Sequence, residues 1–237
     1  MQRYFASLIG NEVILKQDDI FHLSKVMRAK IGTEIEVVDE NGKVYLARVN
    51  EVNPLRIVIQ EPILKSSELN TKLTLFFALA KSDKIDFVIQ KATELGASKI
   101  VLFEGKRSIV HFSKDDFARK YSRYNSIAKE AAEQCHREII PEICFAPTIK
   151  DIEPDLAELN LFAYELDAGE TNKFSSYLEK RVNSLSVIIG PEGGFDEKEA
   201  EYLKSLGFKN ISLGKRILRC ETAAVYALSV IAFNLEK

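Results

Sequence analysis

The sequence predicts an α/β protein in two parts, a small β-barrel followed by a mostly parallel sheet with helices on both faces. Three observations carry this. Apolar and polar side chains alternate with a strand's period over the first seventy residues. From residue 72, apolar strand-like runs alternate with amphipathic helical segments. The stretch between, Leu64-Lys65-Ser66-Ser67-Glu68-Leu69-Asn70, is polar and aperiodic, as a linker is. The expected parts are therefore residues 1–68 and 72–237.

In the first part, Glu34-Ile35-Glu36-Val37-Val38 and Val44-Tyr45-Leu46-Ala47-Arg48-Val49 flank Asn41-Gly42, a hairpin signal, and Leu55-Arg56-Ile57-Val58-Ile59 follows a proline turn. Asp18 to Arg28, apolar at 20, 23 and 26–27, predicts one short helix. In the second part, Leu73–Leu79, Ile100–Phe103, Leu161–Tyr164, Val187–Ile189 and Ile211–Leu213 read as strands. Ile85, Val88, Ile89, Ala92 and Leu95 recur at helical spacing, with Gly96 placed to end the helix. Phe117, Tyr121, Tyr124, Ala128, Ala131 and Cys135 mark a long helix, most simply through its packing face. Asp196 with Glu199 reads as the capping pair of a helix ending near Gly207, and Glu221 to Leu235 as a last, strongly apolar helix.

With 237 residues, 46% hydrophobic and 29% charged, the chain falls outside the disordered, collagen-like and coiled-coil classes. A chain this long buries roughly 70% of its unfolded surface and needs no disulfide or metal to hold a core. Cys135, Cys144 and Cys220 are widely spaced and make no CxxC pair, so neither a zinc site nor a disulfide framework is expected, and a reducing cytoplasm is. No membrane span or signal peptide is expected either.

The net charge of −2 hides an asymmetry that bears on nucleic-acid binding. Residues 71–140 carry 13 cations against 9 anions, and residues 141–210 carry 7 against 14. The basic middle could meet phosphates, although an ordinary solvated surface also accounts for it.

Two loops stand out chemically. Val187-Ile188-Ile189-Gly190-Pro191-Glu192-Gly193-Gly194-Phe195 runs a buried strand into a glycine-rich turn, at the strand end where open α/β sheets bind ligands. Its spacing matches neither a dinucleotide fingerprint nor a P-loop, which disfavours a dehydrogenase or a P-loop kinase. Leu213-Gly214-Lys215-Arg216-Ile217-Leu218-Arg219-Cys220-Glu221-Thr222-Ala223 also follows a strand and opens a helix, with three cations near an anion-favouring N-terminus. The two loops meet if their strands are near neighbours. Cys220, with no base beside it and an apolar helix next door, reads better as a packed thiol than as a nucleophile.

Several motifs follow one another in order along the chain. They are His22-Leu23 with Val26-Met27-Arg28, Lys81-Ser82-Asp83-Lys84, Gln90 to Gly96, Glu130 to Gln134 with Arg137 and Pro141, Ile189 to Phe195, and Leu213-Gly214 to Thr222-Ala223. In this order the chain resembles the RsmE family, bacterial small-subunit ribosomal RNA methyltransferases that act on uridine N3 and belong to the SPOUT superfamily. It departs at Met27, where the family commonly has leucine, and at Cys220, where another small residue is usual.

The resemblance implies an N-terminal PUA-like barrel that binds RNA and a C-terminal SPOUT domain with a trefoil knot, forming a homodimer in part through the last helix. It implies S-adenosylmethionine as cofactor, held by Gly190, Pro191, Glu192, Gly193, Leu213, Gly214, Ile217, Leu218, Thr222 and Ala223. The partner it implies is 16S ribosomal RNA or the small ribosomal subunit. Arg219, between the cofactor loop and the last helix, is the candidate to stabilise the uridine anion during transfer; a phosphate clamp or a structural ion pair are its other readings. Arg3, His22, Lys25, Arg28, Lys81, Lys84, Arg107 and Arg137 are the candidate RNA contacts, with His22 also readable as a satisfied packing histidine. A transfer RNA methyltransferase of the same fold and a non-catalytic RNA-binding assembly factor remain open beside this reading.

Overall fold

The computed structural model describes residues 1–164 and 173–236. The chain divides into two compact units, residues 1–68 with 132–139, and residues 69–131 with 140–237.

The first unit is a curled six-stranded sheet. Strands β1 (Arg3–Phe5), β2 (Ser7–Ile9), β3 (Glu12–Ile14), β4 (Glu34–Val38), β5 (Val44–Val52) and β6 (Leu55–Ile63) run in the order β1-β4-β5-β6-β3-β2. The two edge strands, β1 and β2, are separated in the chain only by Ala6, so the sheet curls round on itself. Tyr4, Leu23, Ile35, Val37, Ala47, Val49 and Ile57 fill its interior. The Asn41-Gly42 hairpin forms as read: Gly42 takes φ +76°, and the Asp39 carboxylate accepts the amides of Asn41 and Lys43.

The single helix expected over 18–28 is two pieces, α1 (Gln17–Phe21) and a π-helical turn (His22–Val26). The wider turn buries Leu23, which is 1% exposed, and leaves Phe21, Val26 and Met27 outside. It closes in a Schellman-like turn in which the Ala29 amide reaches the Leu23 carbonyl at 3.1 Å and Arg28 stands left-handed at φ +51°.

Residues 132–139, expected in the second part, cluster with this unit through buried ions. Arg3 donates to Glu36 Oε2 at 2.8 Å and to the His136 carbonyl at 2.6 Å, while His136 Nδ1 lies 2.8 Å from the same carboxylate. Burial works against ionising Glu36, but the hydrogen bonds from His136 and Arg3 hold its carboxyl below the usual range. Arg137 forks onto Glu68, whose Oε1 also accepts the Glu138 amide at 2.8 Å.

The second unit is a parallel sheet of β7 (Lys72–Ala78), β8 (Lys99–Phe103), β9 (Glu142–Ala146), β10 (Leu159–Ala163), β11 (Ser184–Ile189) and β12 (Lys209–Ile211) in the order β12-β10-β11-β7-β8-β9. The five strands read from sequence are present; β9 is the addition. The helices are α2 (Ser82–Glu94), α3 (Lys114–Gln134), α4 (Lys173–Tyr177), α5 (Glu197–Ser205) and α6 (Cys220–Leu235), with a 3₁₀ segment at Ile149–Asp155.

Alternation along β7 assigns the two faces. Leu73, Leu75 and Phe77 join the layer containing Ile85, Val88 and Ile89 of α2, Tyr124 of α3, and Ala224 and Leu228 of α6. Phe76 and Ala78 join Phe162, Ile188 and the α5 residues Ala200 and Leu203. Both faces are covered, which is why these strands read as near-continuous apolar runs. The capping box of α5 forms as read, with Asp196 accepting the Lys198 amide and Glu199 accepting the Asp196 amide at 2.8 Å. Phe117 stacks on Phe145 with ring centroids 5.5 Å apart, and Tyr124, Ala128 and Ala131 are buried, so the stripe on α3 packs at these positions while Tyr121 is exposed. Among the described residues no helix is long and apolar enough to cross a membrane.

Candidate active site

The C-terminal ends of β10, β11 and β12, three adjacent strands, open into one cavity of about 430 Å³. Loops at such strand ends form the ligand crevice of open α/β sheets. Ala163, Ile189, Phe195, Ile211, Leu213, Ile217, Leu218 and Ala223 give it apolar walls, while Lys84, Glu192, Arg216 and Arg219 bring charge. The two loops singled out in sequence do meet here, because β10 lies between and pairs with both parent strands.

Of the expected cofactor residues, Gly190, Pro191, Glu192, Leu213, Ile217, Leu218 and Ala223 line the cavity. Three do not. Gly193 packs against Arg107, since a Cβ built on it falls 2.9 Å from the Arg107 Cβ. Its residue type is required there by protein packing, and the positive φ of this turn belongs to Gly194, at +68°. Gly214 shapes the second loop instead, at φ +106° with open space around it. Thr222 is exposed on another face of α6, where it lines a shallow depression with Val225, Tyr226, Ser229, Val230 and Phe233.

One wall carries a charge cluster that sequence reasoning missed. Lys84, expected to contact RNA, donates to Glu192 Oε1 at 2.8 Å and lies 3.4 Å from Glu221 Oε2. The hydrogen bond to Glu192 raises the Lys84 pKa against the opposing effect of burial. Burial also disfavours the Glu221 carboxylate, but hydrogen bonds from the backbone, Cys220 and Lys84, together with the Lys84 charge, leave its pKa lowered. Two carboxylates face one ammonium in this cluster, while the other charged lining residues, Arg216 and Arg219, are cations. Burial, followed by the hydrogen bond to Glu221, pushes the Cys220 thiol up to about 12. It is a packed thiol, as its neighbourhood in sequence suggested, and no nucleophile at neutral pH.

Arg219 stands at the N-cap of α6, exposed and lining the cavity. Among the described residues it has no ion-pair partner, nor do Lys215 and Arg216.

The other expected RNA contacts separate by burial. Arg3 is 5% exposed and Arg137 is 3%, each held by a carboxylate of its own unit, so both are structural ions with no surface to offer a phosphate. His22 is half-buried, its Nδ1 2.9 Å from the Tyr4 hydroxyl, as a satisfied histidine would be. Arg107 donates to the Gly193 carbonyl at 3.1 Å while remaining half-exposed. Lys25, Arg28 and Lys81 are exposed and unpaired among the described residues. Tyr164, Phe195 and Ser212 were missed as lining residues; for Tyr164 and Ser212 the available signal was their place just beyond strand ends. No cluster of three or more His, Cys, Asp or Glu side chains among the described residues could hold a metal.

Residues 67–232 match the RNA methyltransferase domain family and residues 15–61 the RNA methyltransferase PUA domain family. Fold and site thus define the class, an RNA methyltransferase domain preceded by a PUA domain. The ribosomal RNA small subunit methyltransferase E of Bacillus subtilis is 32% identical over all of this chain and 98% of its own length. That of Mesomycoplasma hyopneumoniae is 34% identical over 90% of this chain and 94% of its own. The chain belongs to the RsmE family. A methyltransferase structure from Legionella pneumophila in complex with the bound cofactor SAM is 27% identical, with a TM-score of 0.85 over 98% of this chain and 96% of that one.

Proposed function

We propose that the protein is an S-adenosylmethionine-dependent methyltransferase that methylates N3 of a uridine in 16S ribosomal RNA, alone or in the small subunit. The observation that carries this is the cavity at the ends of β10, β11 and β12, built from the two loops of the family motif. In this reading the second unit holds the cofactor, in the knot implied by the family resemblance. The first unit holds RNA, and the apolar α6 face around Tyr226 and Phe233 pairs two copies in a cytoplasmic homodimer.

The residues present fit S-adenosylmethionine. Ile189, Leu213, Leu218 and Ala223 offer apolar surface to an adenine ring, and Gly190 keeps side-chain bulk out of a position already crowded by the Phe195 ring. Lys84 and Glu192 offer one charge of each sign to a methionyl carboxylate and ammonium. The bound cofactor supplies an electrophilic methyl group on a sulfonium.

The chain's own task is to make N3 a nucleophile. N3 carries a proton at neutral pH; given up to solvent water, it leaves a negative charge spread over N3, O2 and O4. A guanidinium at the cavity with no ion-pair partner among the described residues, Arg219, stabilises that charge where it develops, an effect worth roughly 10²–10³ in rate for a single donor. Fixing base and cofactor in one cavity contributes through orientation, for which effective molarities correspond to about 7–11 kcal/mol. The test is transfer of a labelled methyl group from S-adenosylmethionine to purified 16S RNA, small subunits and transfer RNA. Label on either ribosomal substrate supports the reading. Label on transfer RNA alone, or on nothing despite cofactor binding, rejects it.

A further inference from the structure

The exposed apolar side chains of the first unit include a gathered set. Phe21 is 61% exposed, Val26 59%, Met27 49% and Ile31 68%, all on α1, the π-helical turn or the loop after it. Single exposed apolar residues are ordinary; a gathering of them marks a surface that meets something. This one is interleaved with Lys25, Arg28 and Lys30, all exposed and none with an ion-pair partner among the described residues. Arg28 is exceptional in its unit. Arg3, Arg48, Arg56 and Arg137 each pair with a carboxylate, and among the described residues Arg28 alone of the unit's arginines does not.

The backbone presents this patch firmly. Leu23 anchors the turn in the core, His22 is held by the buried Tyr4 hydroxyl, and the left-handed Arg28 closes the turn. Phe21 and Lys25, four residues apart along a helical turn, share its outer side. Unpaired cations around an exposed aromatic ring suit a polyanion that also offers flat apolar faces. An RNA duplex hides its base faces within the stack and presents backbone, whereas unpaired RNA exposes bases that can stack on an aromatic side chain.

We propose that residues 21–31 form a platform for unpaired RNA, on which the Phe21 ring stacks a base while Lys25, Arg28 and Lys30 hold flanking phosphates. The proposal rests on the RNA methyltransferase reading and specifies the state of the RNA that the first unit grips.

The test measures binding of the full chain to a 5-iodouridine-containing single strand and to the duplex of the same sequence, over a range of salt. The wild type is expected to prefer the single strand, and irradiation to crosslink the iodouridine to the peptide bearing Phe21. Phe21→Ala is expected to weaken single-strand binding about 5- to 150-fold with the salt slope unchanged, and Phe21→Tyr to restore it. Arg28→Ala should flatten the slope by about 0.7. Duplex binding as tight as single-strand binding, or Phe21→Ala binding like wild type while Arg28→Ala weakens, overturns the stacking platform and leaves the RNA reading intact. A wild type that binds neither RNA overturns that reading and the platform with it.

Discussion

Gly190 and Gly193 lie three residues apart in one motif, yet the structure gives them different neighbours and so different consequences when each becomes alanine. A Cβ on Gly190 meets the Phe195 ring at 3.2, 3.2 and 3.4 Å. Phe195 is 3% exposed and packs edge-on against Phe162, so the ring cannot swing away, and the loop must yield by a few tenths of an ångström. Overpacking of this kind costs about 1–3 kcal/mol, and three contacts to a single ring place Gly190→Ala toward the lower end. A misplacement of 1 Å can cost about 100-fold in rate, so by proportion a shift of a few tenths should lower kcat/KM roughly fourfold. At Gly193 the new methyl would press on the Arg107 Cβ at 2.9 Å, outside the cavity wall. Gly193→Ala should therefore lose similar stability, displace the Arg107 segment and leave cofactor affinity within about twofold of wild type. Urea unfolding gives the stabilities, and titration calorimetry with S-adenosylmethionine gives the affinities. A Gly193→Ala protein that loses cofactor binding while Gly190→Ala retains full activity would refute the reasoning.

Other consequences follow from the same geometry. Arg219→Ala should bind cofactor and RNA nearly as wild type while turnover falls by roughly 10²–10³ in single-turnover assays; lost RNA affinity with saturated turnover intact would make Arg219 a phosphate clamp. Cys220 should resist iodoacetamide at pH 8 in the native protein and react only after denaturation, as read by peptide mass spectrometry, because its thiol is pushed up to about 12. Glu36→Gln leaves Arg3, 5% exposed, without its carboxylate and should destabilise the first unit by about 3 kcal/mol in urea. The folded-state pKa of Glu36 is depressed below 4.5, so its contribution is present above pH 4.5 and is lost as pH falls through the lowered value. The gap between wild type and Glu36→Gln in urea midpoint should accordingly be full at pH 6 and shrink on acidification below pH 4; a constant gap would contradict the assignment.

Legibility in the sequence followed how local the signal was. Strand β7 and helix α2 could be read because their periodicity reports which faces are buried, and the α5 cap because Asp196 and Glu199 are three residues apart. Strand β9 was missed: Glu142-Ile143-Cys144-Phe145-Ala146 is short, and only its pairing with β8 makes it a strand. The meeting of the two glycine-bearing loops was readable as a condition on strand order, which β10 then satisfied by pairing with both β11 and β12.

Charge was the least legible property. Lys84 meets Glu192 across 108 positions of sequence and Arg3 meets Glu36 across 33, so nothing local distinguishes these cations from Arg28 or Arg219, which have no ion-pair partner among the described residues. Gly193 shows the converse difficulty. Membership of a glycine-rich motif suggested a ligand contact, whereas the atom its missing side chain makes room for belongs to Arg107.

The central claim is methylation of uridine N3 in small-subunit ribosomal RNA, and mass spectrometry of nucleosides and mapped fragments of 16S RNA tests it most directly. RNA from cells lacking the gene, compared with the parent strain, should lose 3-methyluridine at one nucleotide and regain it when the wild-type chain is restored, but only weakly with Arg219→Ala. An unchanged 3-methyluridine content, or loss instead of a ribose methyl group or a methyl group on another base, would contradict the account.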